Sequence, residues 1–249
     1  MGANKAGDHG PLTLSREALR EVDRLAAERY AIPSIVLMEN ASHGLADEAL
    51  AMIARDALHA VVILCGPGAN AGDGFALARH LHNAHVPVLI LLTRPPESYK
   101  GDALTNLTTC QRMGLTIEPP PATGADVDAW IDAAIARHRP EADDRSCLLV
   151  DALFGTGLDR PPEGVMLALI RAINARRPPA RVLCVDVPSG LDADTGRVLG
   201  DAVNADVTVT FVARKRGFAA PGAAERLGRV VVAPIGAPRE LVESLADPG

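Results

Sequence analysis

Apolar Leu19, Val22, Leu25 and Ala26 recur at helical spacing between Ser15 and Tyr30, so one face of this stretch is oily and the other charged. Ser15 stands where a hydroxyl caps a helix, and Glu17 falls in the first turn, where the helix dipole favours an acid. The pattern predicts an opening amphipathic helix. Pro33 and Ser34 restart the chain, and residues 35–54 read as a second helix, rich in Ala and Leu, with Glu39 and Asn40 inside it. Beyond it the rhythm changes. Short apolar runs at residues 60–65, 87–92, 147–150, 181–185, 207–212 and 229–232 read as strands. Stretches of helical composition at 74–84, 102–113, 127–137 and 165–175 fall between them. The runs are continuous in Val, Ile and Leu rather than alternating, which suits strands covered on both faces. The expectation is a Rossmann-like α/β fold: an open, mostly parallel sheet with helices on both faces and an N-terminal helical extension.

The breakers Pro119 to Pro121 and Pro178–Pro179 fall between elements, and nothing reads as a linker, a repeat or a low-complexity segment. The expected organisation is a flexible stretch over residues 1–13, a single domain over 14–240 and a tail over 241–249. Lys and Arg number 25 against 31 Asp and Glu, a net charge of −6, which excludes a basic footprint for nucleic acid or an anionic membrane. The apolar runs fall far short of the roughly 20 residues a membrane helix needs. The first fifteen residues lack the apolar core of a secretory leader and the arginines of a transit peptide, so a cytoplasmic protein is expected. Cys65, Cys110, Cys147 and Cys184 are far apart, and three lie in strand-like runs. They are expected to be reduced core thiols.

In an open parallel sheet, ligands bind beyond the carboxyl ends of the strands, so residues just after each strand are the informative ones. Three such ends stand out. Gly66-Pro67-Gly68-Ala69-Asn70-Ala71-Gly72-Asp73-Gly74 leads straight into a helix, whose N-terminus offers free N–H groups to an anion. Asp151-Ala152-Leu153-Phe154-Gly155-Thr156-Gly157 joins a strand-end carboxylate to another glycine-rich turn, and Asp186-Val187-Pro188-Ser189-Gly190-Leu191-Asp192 repeats the design. Sequential parallel strands tend to be neighbours, so the three loops are expected to converge on one crevice. Each loop taken singly also suits an ordinary capped βα turn.

The first loop matches G-x-G-x-x-A from Gly66 to Ala71, the fingerprint of dinucleotide-binding dehydrogenases. Where the ribose-reading acid belongs, however, stand Thr93 and Arg94, and Asp73 brings negative charge to the helix start. Hydride transfer is the alternative that this match keeps open. Asn70, Asp151 and Ser189 supply hard oxygen atoms of low total charge, wrong for zinc and sparse for calcium, and better suited to a monovalent cation. His80, His82 and His85 lack the spacing of a metal pair and read as solvated residues near a helix C-terminus.

These motifs, in this order, resemble the NAD(P)H-hydrate epimerases, the YjeF N-terminal domain family, from about residue 14 to 238. The resemblance rests on Leu37-Met38-Glu39-Asn40-Ala41, the loop from Gly66 to Gly74, and Val150 to Gly157. It continues through Val185 to Gly196, Thr208-Val209-Thr210-Phe211 and the loop that contains Lys215. It implies an isomerase acting on NADH or NADPH that has taken up water at C6 of the nicotinamide ring, interconverting the R and S hydrates for coenzyme repair. It further implies a potassium ion held by Asn70, Asp151 and Ser189. Implied substrate contacts come from Ala69, Asn70, Ala71, Gly72 and Asp73, from Gly155, Thr156, Gly157, Leu158, Asp159, Arg160 and Pro161, and from Asp186. The functional partner implied is a separate NAD(P)H-hydrate dehydratase, because the chain ends at Gly249. A homodimer through the N-terminal helices is expected from the same resemblance, although the stripe at Leu19, Val22 and Leu25 serves packing within one chain equally well.

Epimerising a carbon that bears a hydroxyl beside a ring nitrogen requires loss of water to an iminium-like species, or ring opening, and return on the other face. A proton must be given to the leaving hydroxyl and taken from the entering water. Asp186 is the expected acid/base, with Lys215 stabilising it or sharing its proton. The usual loop of the family reads G-x-G-N-N-G-G-D-G, whereas Ala69 here replaces an Asn and Ala71 a Gly. One amide is missing, and one position is less free to take positive φ. Asn70, Gly72 and Asp73 remain, so the cation and helix-start geometry are expected to persist, while the grip on substrate is what these changes touch. Drift to a non-catalytic nucleotide-binding or interaction module is the further alternative.

Overall fold

The strand runs do assemble into one sheet, in a computed structural model that describes residues 12–122, 124–138 and 147–247. In chain order the elements are β1 (Thr13–Leu14), α1 (Arg16–Tyr30), α2 (Ser34–Asp56), β2 (Ala60–Cys65), α3 (Ala69–Asn83), β3 (Val88–Leu92), α4 (Gly101–Arg112), β4 (Thr116–Glu118) and α5 (Val127–His138). They continue with β5 (Cys147–Ala152), α6 (Gly164–Ala175), β6 (Arg181–Val185), β7 (Val207–Phe211), β8 (Arg214–Lys215), α7 (Ala224–Leu227), β9 (Arg229–Ala233) and α8 (Arg239–Leu245). Seven strands pair in the order β4-β3-β2-β5-β6-β7-β9, and every pairing is parallel.

Alternate residues of each strand feed two cores. Val61, Ile63 and Cys65 of β2 pack with α2, α3 and α4 on one face, whereas Ala60, Val62 and Leu64 pack with α5 and α6 on the other. Burial on both faces is why the strand runs are apolar throughout. A third cluster joins Leu19, Val22, Leu25 and Ala26 of α1 to Leu37 and Ala41 of α2 and to Leu241 and Val242 of α8. The amphipathic stripe of α1 is thus used inside one chain. Ser15 caps α1 as its spacing predicts, accepting a hydrogen bond from the Ala18 N–H at 3.2 Å.

Three differences from the sequence reading have physical reasons. The stretch from residue 241, read as a tail, completes α8, because Leu241 and Val242 find an apolar seat. Of the stretch read as flexible, residues 1–11 lie outside the described residues, but Thr13 and Leu14 pair with Arg214 and Lys215 in a two-stranded parallel sheet. Finally, α3 begins at Ala69 rather than Gly74, so half of the glycine-rich segment is the first turn of a helix. The four cysteines are buried thiols outside any disulfide among the described residues. Among the described residues no helix is long and apolar enough to cross a membrane.

Candidate active site

The direction of travel across the sheet reverses between the neighbours β2 and β5, the switch point at which open parallel sheets leave a crevice at their carboxyl ends. A cavity of about 570 Å³ lies there. Its floor is built from the ends of β2, β5, β6 and β7, through Gly68, Asn70, Gly155, Asp186 and Phe211. The lining is completed by α1 and α2, through Leu19, Asp23, Leu37 and Met38. The N-terminal helices are therefore part of the site rather than an appendage to it.

Asp186 follows β6 directly and holds φ at 67°, a left-handed conformation that few residues other than glycine adopt, Asp being among the more tolerant. Its N–H reaches across to the Val209 carbonyl at 2.7 Å, which fixes the turn against β7. Its Oδ1 accepts from Lys215 Nζ at 2.5 Å, Thr210 Oγ1 at 3.3 Å and the Phe211 N–H at 3.4 Å. Lys215 also donates to the Phe211 carbonyl at 2.5 Å and is 1% exposed. With Oδ1 thus occupied, Oδ2 is the oxygen beside Gly155. A Cβ on Gly155 would lie 3.0 Å from Asn70 Oδ1 and 3.2 Å from Asp186 Oδ2, so the missing side chain lets the turn after β5 approach both groups closely.

Asp151, fully buried at the end of β5, is bound twice by Ser189: Ser189 Oγ donates to its Oδ1 at 2.6 Å and the Ser189 N–H to its Oδ2 at 2.8 Å. The Ser189 hydroxyl in turn accepts from the Phe154 N–H at 2.9 Å. Burial pushes the Asp151 carboxyl upward, and these hydrogen bonds from Ser189 pull against it. Among the described residues no Lys or Arg pairs with Asp151. Asn70 is 7% exposed and its buried Nδ2 has no hydrogen-bond partner. A buried carboxylate without a protein cation, with hydroxyl and amide oxygens supplied by the neighbouring loops, is a donor set chemically suited to a monovalent cation.

The sequence-predicted site residues divide. Ala69, Asn70, Asp73, Gly155, Thr156, Gly157, Leu158, Asp186 and Lys215 line the cavity, while Asp151 and Ser189 brace its floor from beneath. Ala71 and Gly72 do not line it. Ala71 is in the core, and Gly72 packs on Met38 and Ala103 because the first turn of α3 points these two positions at α2 and α4. Ala71 is helical, so the positive φ that its replacement of glycine put in question is not required here. Asp159, Arg160 and Pro161 are exposed and also lie off the cavity lining. Lys215, expected as a helper, is fully enclosed.

Two features escaped the sequence. Asp23 of α1 is exposed where it lines the cavity, and its carboxyl is pushed up to about 6 by partial desolvation from the surrounding protein and by the charge of Asp186, against the pull of Lys215. Asp73 is pushed well above the usual carboxylate range, first by burial and then by Asp186 and Asp23. Separately, His80 is not a solvated helix-end residue. It is largely buried, places Nε2 3.0 Å from Glu39 Oε1, and lies 4.3 Å, centroid to centroid, from the His43 ring. Burial holds its proton affinity down. Glu39 and His43 share one face of α2, and only packing against α3 brings His80 to them, so no spacing in the sequence could have shown it.

The family of YjeF-related protein N-termini matches residues 34–217. The NAD(P)H-hydrate epimerase of Pirellula staleyi is 40% identical over 231 residues, 92% of this chain and 95% of that protein. The bifunctional NAD(P)H-hydrate repair enzyme Nnr of Moorella thermoacetica is 39% identical over 227 residues, 89% of this chain and 40% of that protein. Among solved structures, yeast ynu0 superposes with a TM-score of 0.73 at 20% identity, covering 94% of this chain and 93% of that one, a likeness in fold. The chain belongs to the family of YjeF-related protein N-termini.

Proposed function

We propose that this chain is an NAD(P)H-hydrate epimerase, inverting C6 of the nicotinamide ring of hydrated NADH or NADPH so that both hydrates become available for repair. The observation that carries the reading is the Lys215–Asp186 pair at the head of a cavity in a chain that spans 95% of a relative named for this activity. The cavity has room for the hydrated ring, and the Asp186 carboxyl gives a proton to the leaving hydroxyl or takes one from the entering water through Oδ2. Lys215 fixes the rotation of that carboxyl and offers a second seat for its proton. The first turn of α3, with Asn70 and Asp73, and the turn from Gly155 to Leu158 hold the substrate. Thr93, where a dehydrogenase would carry its ribose-reading acid, spends its hydroxyl on the Cys65 carbonyl at 2.9 Å, which argues against hydride transfer.

Presented with one epimer of hydrated NADH, the purified protein is expected to bring the mixture to its equilibrium ratio faster than the spontaneous exchange, as read by chromatography. A ratio that moves no faster than in buffer would refute the reading. The functional partner is an NAD(P)H-hydrate dehydratase, a reading supported by relatives named as bifunctional NAD(P)H-hydrate repair enzymes.

Potassium would be held by Asn70, Asp151 and Ser189, supplying positive charge beneath the substrate site and fixing the turns after β5 and β6. Exchange by the native protein is then expected to fall when potassium is replaced by a bulky organic cation. In Asp151→Ala the rate should no longer respond to that replacement, and a variant that keeps the full response would remove Asp151 from the cation site.

A further inference from the structure

Inversion through a planar C6=N1 intermediate has a geometric requirement: the hydroxyl departs from one face of the ring and water arrives on the other. Protons must therefore be handled on both sides, and a carboxyl fixed in one wall reaches only one face of a substrate that stays in place. Asp186 is in the floor, at the strand ends. The part of the lining that α1 contributes carries a second carboxyl, that of Asp23.

Of the four acids of α1, Glu17, Glu21, Asp23 and Glu28, only Asp23 lines the cavity. Glu21 and Glu28 both pair with Arg24, whereas among the described residues no side chain hydrogen-bonds or ion-pairs with the Asp23 carboxyl. Its side chain is exposed, at the cavity. The charged groups that act on it are Asp186 and Lys215 from the strand ends and Asp73 from α3, and Arg20 and Asp102 also line the cavity. The matched family segment begins at residue 34 and does not include it.

We infer that Asp23 is the second proton carrier of the epimerisation, serving the face of the ring turned to α1 while Asp186 serves the face turned to the strand ends. The inference rests on the epimerase reading. Its proton affinity fits: with its carboxyl at about 6, Asp23 holds and releases a proton near neutral pH. Asp73 sits on the floor side, at the start of α3.

The step balances. The C6–O bond breaks with its electron pair going to oxygen, the N1 lone pair forms C6=N1, and the protonated carboxyl on that face gives the proton that lets water leave. A water on the opposite face attacks C6, the C=N electron pair returns to N1, and the other carboxylate takes the proton. Nothing is oxidised or reduced. The two carboxyls finish with exchanged protonation states, which suits the reverse turnover, and exchange with solvent resets them for another in the same direction.

The test uses each epimer separately in oxygen-18 water, following label and epimer ratio together. The native protein should invert both epimers and gain one label per inversion. Asp23→Asn should invert about 100-fold more slowly, yet still pass label into the one epimer whose hydroxyl faces Asp186, without inverting it. Asp23→Glu, which keeps a carboxyl on that wall, should recover part of the inversion. A merely structural role would slow label and inversion equally in both epimers.

Inversion by Asp23→Asn at the native rate overturns the inference, as does equal loss of labelling from both epimers in a variant that unfolds at the native temperature. So does failure of Asp23→Glu to recover any inversion, or native inversion that retains the original oxygen. Native protein that accelerates neither exchange would instead remove the epimerase reading, and this inference with it.

Discussion

Asp186→Asn lowers epimer exchange by about 10² to 10⁴-fold and also weakens the fold. The loss of activity follows from removing the group that moves a proton at C6. The loss of stability follows from what stays behind: Lys215, 1% exposed, keeps its ammonium facing the Phe211 carbonyl and a neutral amide oxygen, with no counter-charge. Breaking one side of a buried pair costs about 3–5 kcal/mol. The backbone gives no independent reason for damage, since Asn tolerates the left-handed conformation that Asp186 adopts. The double variant Asp186→Asn with Lys215→Met separates the two effects. Replacing both charges leaves nothing unpaired, so most of the lost stability should return in denaturant unfolding, while exchange stays at the level of the single variant. A double variant with native activity would take the pair out of the mechanism, and a single variant with native stability would mean that Lys215 finds water.

What the sequence made legible follows from the sheet. Buried parallel strands must be apolar throughout, so runs such as residues 60–65 and 181–185 announced themselves with correct limits. β4 did not, because an edge strand of Thr116, Ile117 and Glu118 buries little and looks like loop. The strand-end loops were legible because parallel strands deliver their carboxyl ends to one side. That rule alone brings Asn70, Gly155 and Asp186 to one crevice, and all three line the cavity. Asp23 obeys no such rule. In the sequence it is one more acid on the polar side of an amphipathic helix, and it becomes a site residue only because α1 is laid across the mouth of the sheet by contacts of Leu19 and Leu25 with α2 and α8.

Two glycines of the first loop, Gly66 and Gly68, predict opposite outcomes. Gly66→Ala is expected to cost more than about 4 kcal/mol, the range reserved for severe lesions. A Cβ there would lie 1.8 Å from the Leu153 carbonyl oxygen, and backbone on both sides prevents relief. Gly66 donates to the Ala152 carbonyl at 2.9 Å just where β2 and β5 end their ladder at Cys65 and Ala152. Pushing Leu153 away also drags Phe154, whose N–H holds the Ser189 hydroxyl, so the brace on Asp151 loosens with the sheet. Gly68→Ala, two residues on, meets nothing within 4 Å at a φ of −111°. Its loss of a preferred helix cap is offset by a stiffer unfolded chain, leaving it within about 1 kcal/mol of native. Denaturant midpoints of the two variants decide the matter. If Gly66→Ala unfolds at the native midpoint, this glycine is there to admit a ligand; if it collapses while Gly68→Ala does not, its place in the motif is set by contact between two strand ends.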